Sequence, residues 1–289
     1  MLKGAYTAII TPFKNGKVNF KKLGELIEFQ IKNKIDGIVV CGTTGESSTL
    51  SDNEKKKIFK YTVEVVNGRV PVIAGTGSNN TSQAIELSKY AEKVGVDALL
   101  IVTPYYNKTS QKGLIEHYKK IAENVVTPIV IYNVPSRTGV NILPDTVYEL
   151  SQVENIVGIK EASNNFSQIL ELMSKLPKRF SVFSGNDDSI LPLLSLGGSG
   201  VISVLSNIFP KEVHNICEAY FNKDTKYAMD LQLRYGKLIK LLFKEVNPMP
   251  VKDAMNILGF DVGNTRLPLT NVEKDTHELL KSELKKLTK

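Results

Sequence analysis

Eight short runs rich in isoleucine and valine recur along this chain, roughly 20–35 residues apart, and that rhythm constrains the fold more than any other feature. The runs are Ala5–Ile10, Gly37–Val40, Val70–Ala74, Ala98–Val102, Ile129–Tyr132, Ile156–Lys160, Phe180–Ser184 and Gly200–Ser203. Short, continuous apolar runs are the mark of parallel strands covered on both faces. Between them lie longer amphipathic stretches with helix-start signals. Ser51 with Glu54 three residues on makes a capping box, and Pro144 and Pro210 suit the first turns of later helices. Eight strands alternating with helices predict an α/β fold, a (β/α)8 TIM barrel. A doubly wound sheet is the competing arrangement. From about Lys223 no strand remains, and Tyr227–Phe243, Val251–Leu258 and Val272–Leu287 read as helices. The expected organisation is a barrel catalytic domain over 1–224 and a C-terminal helical domain over 225–289.

Composition narrows the function classes. Hydrophobic residues make 42% of the 289 and charged residues 23%, enough apolar content for a large core and too much for a disordered chain. The net charge of +7 admits a nucleic acid, an anionic small substrate or no specific partner. The lysines fall between helically spaced apolar residues, as in DNEKKKIFKY and ELLKSELKKLTK, so they are read as solvated helix faces. No zinc-finger, RNA-binding or basic-region motif accompanies them, and nucleic acid is not expected as a partner. No window reaches the roughly 18 apolar residues of a membrane span, so no membrane association is expected. MLKGAYTAIITPF, with one Lys and a short apolar run broken at Pro12, is too weak for a secretory signal, and two cysteines, Cys41 and Cys217, make a disulfide framework unexpected, so a cytoplasmic protein is expected.

Barrel enzymes do their chemistry where strands end. Lys160 terminates the run NIVGIK. It either reaches solvent or serves as an imine-forming amine. Desolvation in a barrel disfavours an ammonium, and a neutral amine attacks a ketone. Tyr132 closes another strand, either stacked in the core or carrying protons. Thr43 and Thr44 lie in a Gly-flanked loop at the approach to a helix, a plain turn or a carboxylate cradle. Arg137 is a surface charge or a two-pronged grip on a carboxylate. Gly197–Gly200 either cradles a phosphate or permits tight packing. There is no P-loop, GxGxxG or HExxH. The three histidines, His117, His214 and His277, are scattered over predicted helices. A lysine-centred covalent mechanism without metal or nucleotide therefore gains weight.

An ordered series of segments carries a family resemblance. TAIITPF, CGTTGES, PVIAGTGSN, VTPYYNK, YNVPSRTG, GIKEAS, SGNDD, GGSGVISV, NPMPVKDAMNILG and TRLPLT span essentially the whole chain. With these the chain resembles the dihydrodipicolinate synthase/N-acetylneuraminate lyase family of class I pyruvate-dependent aldolases and lyases. The resemblance implies a barrel with a C-terminal helical domain and no cofactor beyond a Schiff base between pyruvate and Lys160. It implies a proton relay of Thr43, Tyr132 and Tyr106, the last supplied by a neighbouring subunit, with Thr43 and Thr44 holding the pyruvate carboxylate. Gly185 and Ile202 are implied as backbone contacts near the ketimine, and Arg137 as the grip on the second substrate's carboxylate. GTTGE and PSRTG point to the synthase branch, which joins pyruvate to L-aspartate 4-semialdehyde on the route to diaminopimelate and lysine. A sister lyase acting on N-acetylneuraminate or a 2-keto-3-deoxy sugar acid shares Lys160 and Tyr132 and is the alternative. The family forms dimers and tetramers, and a homotetramer built as a dimer of dimers is expected. Lysine-inhibited members bind lysine near Tyr105, Asn79 and Ser47. They commonly carry His in place of Lys55 and an acid in place of Gln83, so weak or absent lysine inhibition is implied.

Overall fold

The computed structural model describes residues 2–288. Its strands are β1 (Gly4–Ala8), β2 (Phe13–Lys14), β3 (Lys17–Val18), β4 (Gly37–Val40), β5 (Val72–Gly75), β6 (Ala98–Val102), β7 (Ile129–Asn133), β8 (Ile156–Glu161), β9 (Ser181–Ser184) and β10 (Gly200–Ser203). The pair β2–β3 is a small antiparallel hairpin, and the other eight close into a parallel barrel in the order β1-β10-β9-β8-β7-β6-β5-β4. This is the (β/α)8 barrel expected from the rhythm of the sequence, and every strand lies within two residues of its expected place. The hairpin was not anticipated. Its signal is Asn15-Gly16, both at positive φ, between Lys14 and Lys17.

The helices wrapping the barrel are α1 (Phe20–Lys32), α2 (Asp52–Val66), α3 (Thr81–Lys93), α4 (Gln111–Ala122), α5 (Pro135–Thr138), α6 (Pro144–Leu150), α7 (Phe166–Lys175), α8 (Ile190–Ser195) and α9 (Pro210–Phe221). Three more follow: α10 (Thr225–Leu242), α11 (Met249–Ile257) and α12 (Lys274–Leu287). The capping box at Ser51 and Glu54 is present, satisfying two otherwise orphaned N–H groups at the start of α2. Pro144 and Pro210 each open a helix, where a missing N–H costs nothing. Leu238, Leu242, Leu280 and Leu284 join the same apolar core that lies between barrel and helices, so the last three helices pack onto the barrel.

Side chains alternate between two cores. Ile38, Val40, Leu99, Ile101, Ile129 and Ile131 face outward to the helices. Tyr6, Val39, Ile73, Leu100, Val130, Phe183 and Ile202 fill the barrel. Tyr6 meets Phe183 edge-on, with ring centroids 5.3 Å apart, and its ring occupies the space a Cβ on Gly37 would need. These rings close the lower barrel, as barrel interiors are packed and not pores. The pairing of β7 with β8 slips by one residue, from Ile129↔Ile156 to Val130↔Gly158. Ile156 and Ile159 therefore both point outward, and Lys160 points inward. Strict alternation from Ile156 would have put Lys160 outside.

Gly200 pairs with Gly4 on β1 at φ +149°, and a Cβ there would lie 1.9 Å from the Gly4 carbonyl oxygen. Of the two readings of the Gly197–Gly200 stretch, close packing is the one this contact supports.

Candidate active site

The inward face of the barrel brings four strands to one level at the mouth. Tyr132 on β7 is in register with Val102 on β6 and with Lys160 on β8, and Lys160 is in register with Phe183 on β9. Lys160 is 6% exposed, and its Nζ lies 4.4 Å from the centroid of the Tyr132 ring. Gly185 follows β9 and donates its N–H to the Glu161 carbonyl at 2.7 Å. A Cβ on Gly185 would sit 3.2 Å from Lys160 Cε and 2.5 Å from Ala162 Cβ, so a larger residue would crowd the lysine. Above this floor opens a cavity of 630 Å³ lined by Thr43, Thr44, Tyr132, Arg137, Lys160 and Gly185, among others. The volume suits a small ligand. A second cavity of 270 Å³ shares Thr43, Tyr132 and Arg137 with it and runs on to Ser47, Lys55 and Tyr105.

Six of the eight expected site residues thus meet at one chamber. Ile202 is fully buried inside the barrel on β10, beside Tyr6. Tyr106 stands apart: it is 91% exposed, at φ 69°, and lines neither cavity of its own chain. A tyrosine in the left-handed region carries strain that surrounding structure must hold. The Thr43–Thr44 loop differs from expectation in one respect. It leads into a single turn at Ser47–Thr49, and α2 begins only at Asp52, so the loop is not a helix N-terminus.

The loop is held instead by distant residues. Glu46, itself at φ 55°, donates its N–H to the Thr43 carbonyl at 3.0 Å. Its Oε1 lies 2.5 Å from Lys252 Nζ on α11, an ionic contact between side chains only 0% and 2% exposed. Its Oε2 accepts the Arg266 N–H at 2.9 Å. Burial pushes the Lys252 pKa down, and the Glu46 charge pulls it back up. Asn247, in the segment between α10 and α11, donates from Nδ2 to Thr44 Oγ1 at 2.9 Å, and its carbonyl accepts from Arg137 Nη2 at 3.2 Å. One asparagine therefore touches both groups expected to hold carboxylates. Asp187, after β9, is 1% exposed and lines the large cavity. Its Oδ2 accepts the N–H groups of Val204 and Leu205, both at 2.9 Å.

Sequence reasoning missed Asn247, Asp187 and the Glu46–Lys252 pair. NPMP, SGNDD and GTTGE were visible as motifs, but Asp187 meets partners 17 and 18 residues on, and Asn247 and Lys252 meet partners about 200 residues back, and these pairs are joined only by the fold. The histidines remain apart, each with its own neighbour: His117 with Thr81, His214 with Asp36 and His277 with Asp253. Cys41 and Cys217 are buried free thiols, and burial raises the pKa of Cys41 to about 12. Among the described residues, no three or more His, Cys, Asp or Glu side chains gather as a metal site, and no helix is long and apolar enough to cross a membrane.

A lysine on an inward strand end, beside a phenol and in one chamber with two threonines and an arginine, is an arrangement suited to an imine-forming barrel enzyme of the class I aldolase type. The sequence profile of the Dihydrodipicolinate synthetase family matches residues 1–287, and the chain belongs to that family. It is 57% identical over 285 residues to 4-hydroxy-tetrahydrodipicolinate synthase of Clostridium tetani, covering 98% of this chain and 97% of that one. It is 58% identical over 282 residues to the protein of the same name from Acetivibrio thermocellus, covering 98% and 96%. The crystal structure of dihydrodipicolinate synthase from Aquifex aeolicus superposes with a TM-score of 0.97 at 46% identity, covering 99% and 98%. These relatives carry the synthase name and not that of the sister sugar-acid lyases.

Proposed function

We propose that this chain condenses pyruvate with L-aspartate 4-semialdehyde to give 4-hydroxy-tetrahydrodipicolinate and water. The observation that carries the reading is the inward Lys160 in register with Tyr132, in a chamber that also holds Thr43, Thr44 and Arg137. Lys160 Nζ adds to the keto carbon of pyruvate, and loss of water leaves an iminium. Loss of a methyl proton gives the enamine, whose carbon attacks the aldehyde. The amine of the second substrate then displaces Nζ, closing the ring and freeing Lys160. No further cofactor enters this sequence, because the covalent imine is itself the electron sink.

Tyr132 carries protons to and from the carbinolamine, with Thr43 beside it. Thr43 and Thr44 orient the pyruvate carboxylate, Arg137 grips that of the semialdehyde, and Gly185 and Ile202 offer backbone contacts. Tyr106 completes the relay in a second copy, since its ring projects from its own barrel. The working assembly is accordingly a homo-oligomer, a dimer of dimers, in the cytoplasm. The division into a catalytic barrel, 1–224, and a helical domain, 225–289, belongs to this reading, because the latter supplies Asn247 and Lys252.

The test is semialdehyde-dependent consumption of pyruvate, run beside N-acetylneuraminate cleavage, with borohydride trapping of pyruvate on Lys160. Turnover of the semialdehyde alone, lost in Lys160→Ala, is expected. Near-normal turnover in Lys160→Ala, or pyruvate release from the sugar acid only, refutes the proposal.

A further inference from the structure

Behind the barrel wall, one residue beyond Tyr132 and one beyond Lys160, sits a buried polar pair that the reaction sequence above leaves unused. Asn133 ends β7, Glu161 ends β8, and the two are in register. Successive side chains on a strand point to opposite faces, so this pair looks away from the chamber while Tyr132 and Lys160 look into it. Asn133 is 0% exposed and Glu161 2%. Asn133 Nδ2 donates to Glu161 Oε2 at 2.9 Å and lies 3.2 Å from Oε1, which also accepts the Ser163 N–H at 2.6 Å. The asparagine is tied down on its other side as well. Nδ2 donates to Asn141 Oδ1 at 2.9 Å, Oδ1 accepts the Ile142 N–H at 3.2 Å, and Asn141 in turn donates to Gln168 on α7 at 2.7 Å.

We propose that Asn133 and Glu161 are positioning residues for Lys160: their hydrogen bond latches β7 to β8 in the slipped register, the one in which the lysine faces the chamber. This rests on the reading that Lys160 forms the imine.

Only the slipped register brings these two groups together. Ile129 pairs with Ile156, and without the slip that pairing would run on to Tyr132↔Ile159 and Asn133↔Lys160. Ile159 would then face the chamber, and the lysine would lie outside, beside the asparagine. Glu161 would stand opposite Val134 and lose the Asn133 amide. A buried acceptor left without its donor is costly, so a carboxylate satisfied in one register favours that register over the other. The backbone closes the same joint, since the Ala162 N–H donates to the Asn133 carbonyl at 2.9 Å. The donors that reach the carboxylate, an amide and a backbone N–H, are neutral. What the pair supplies is therefore alignment and not a counter-charge.

The experiment uses the full chain. Glu161→Met keeps the length of the side chain and removes both acceptor oxygens. Glu161→Gln keeps one oxygen, and Oε1 alone is within reach of both Asn133 Nδ2 and the Ser163 N–H. Borohydride trapping of pyruvate on Lys160 is measured per folded molecule, beside Tm. In Glu161→Met the trapping rate at saturating pyruvate is expected to fall roughly 100-fold, the cost of misplacing a reacting group by about 1 Å. Half-saturating pyruvate should move little, because Thr43 and Thr44 are untouched. Glu161→Gln is expected to trap at close to the wild-type rate. A pair that only supports the fold would lower Tm and leave trapping per folded molecule unchanged, and that outcome overturns the proposal. So does a Glu161→Gln protein as impaired as Glu161→Met, since charge and not the hydrogen bond would then be at work. Should Glu161→Met fail to fold, Asn133→Ala removes the other half of the latch, and wild-type trapping in that variant overturns the proposal. A wild-type protein that traps no pyruvate at all refutes the functional reading and removes the basis of this one. Normal wild-type trapping that neither variant disturbs refutes the latch alone.

Discussion

Removing the Lys252 ammonium leaves Glu46 as a buried carboxylate without its cation. The pair is 2.5 Å apart with both side chains sealed from water, so solvent offers no substitute. Breaking such a pair from one side costs about 3–5 kcal/mol. The lower end applies, since Glu46 Oε2 keeps the Arg266 N–H. Lys252→Met should therefore lose about 3 kcal/mol in urea unfolding, on the order of 6–12 °C in Tm for a chain of this size. The loss carries over to function, because Glu46 also holds the Thr43 carbonyl, and the Michaelis constant for pyruvate should rise. Glu46→Gln combined with Lys252→Met removes both charges and should regain most of the stability, as buried pairs replaced together are often neutral. Urea titration and steady-state kinetics on the two single variants and the double complete the cycle. A loss below about 1 kcal/mol in Lys252→Met, or a double variant no more stable than that single, would refute the reasoning.

On the proposed reading, in which Arg137 grips the semialdehyde carboxylate, Arg137→Ala should raise the Michaelis constant for the semialdehyde roughly 10- to 100-fold while that for pyruvate changes little; equal constants for the semialdehyde in both proteins would count against the assignment. Lysine should inhibit weakly or not at all. Lys55 presents a cation to the ligand's ammonium, and Gln83 is a neutral amide already bonded to Asp52 at 3.1 Å, so half-inhibition at or below about millimolar lysine would contradict this account. The Arg266 hydrogen bond holds the Glu54 carboxyl at a pKa of about 2, against 4.5 ordinarily. A depressed carboxyl stabilises the fold above its unfolded pKa and ceases to as pH falls through the folded one. Arg266→Met should thus lose about 1–2 kcal/mol at neutral pH, allowing for solvent screening, with the gap to wild type narrowing between pH 4.5 and 2; a gap independent of pH would refute the linkage.

The barrel was legible in the sequence because its strands are buried on both faces. Apolar runs such as Ile129–Tyr132 leave little ambiguity, and the capping box at Ser51 marks its helix directly. The site was legible as a set of strand ends, since a barrel gathers whatever follows its strands at one mouth. The orientation of Lys160 was not legible. It depends on one slipped residue at the start of β8, and the letters NIVGIK read equally well with the lysine outside. Nor was the supporting layer legible, because Asn247 and Lys252 act on Thr44 and Glu46 through contacts that span some 200 residues. Those residues carry no strand-end signature, and only packing discloses them.

Tyr6 and Phe183 close the barrel from below, and that closure makes the chamber a room with a single door. Whatever is seated on the lysine must arrive before anything that sits nearer the threshold, and must wait for the later arrival to clear or to react. Traffic through such a room obeys a queue. On the proposed mechanism the keto acid should be admitted first, an excess of the aldehyde should stand in the doorway and delay it, and the finished ring should depart by the way its parts came in.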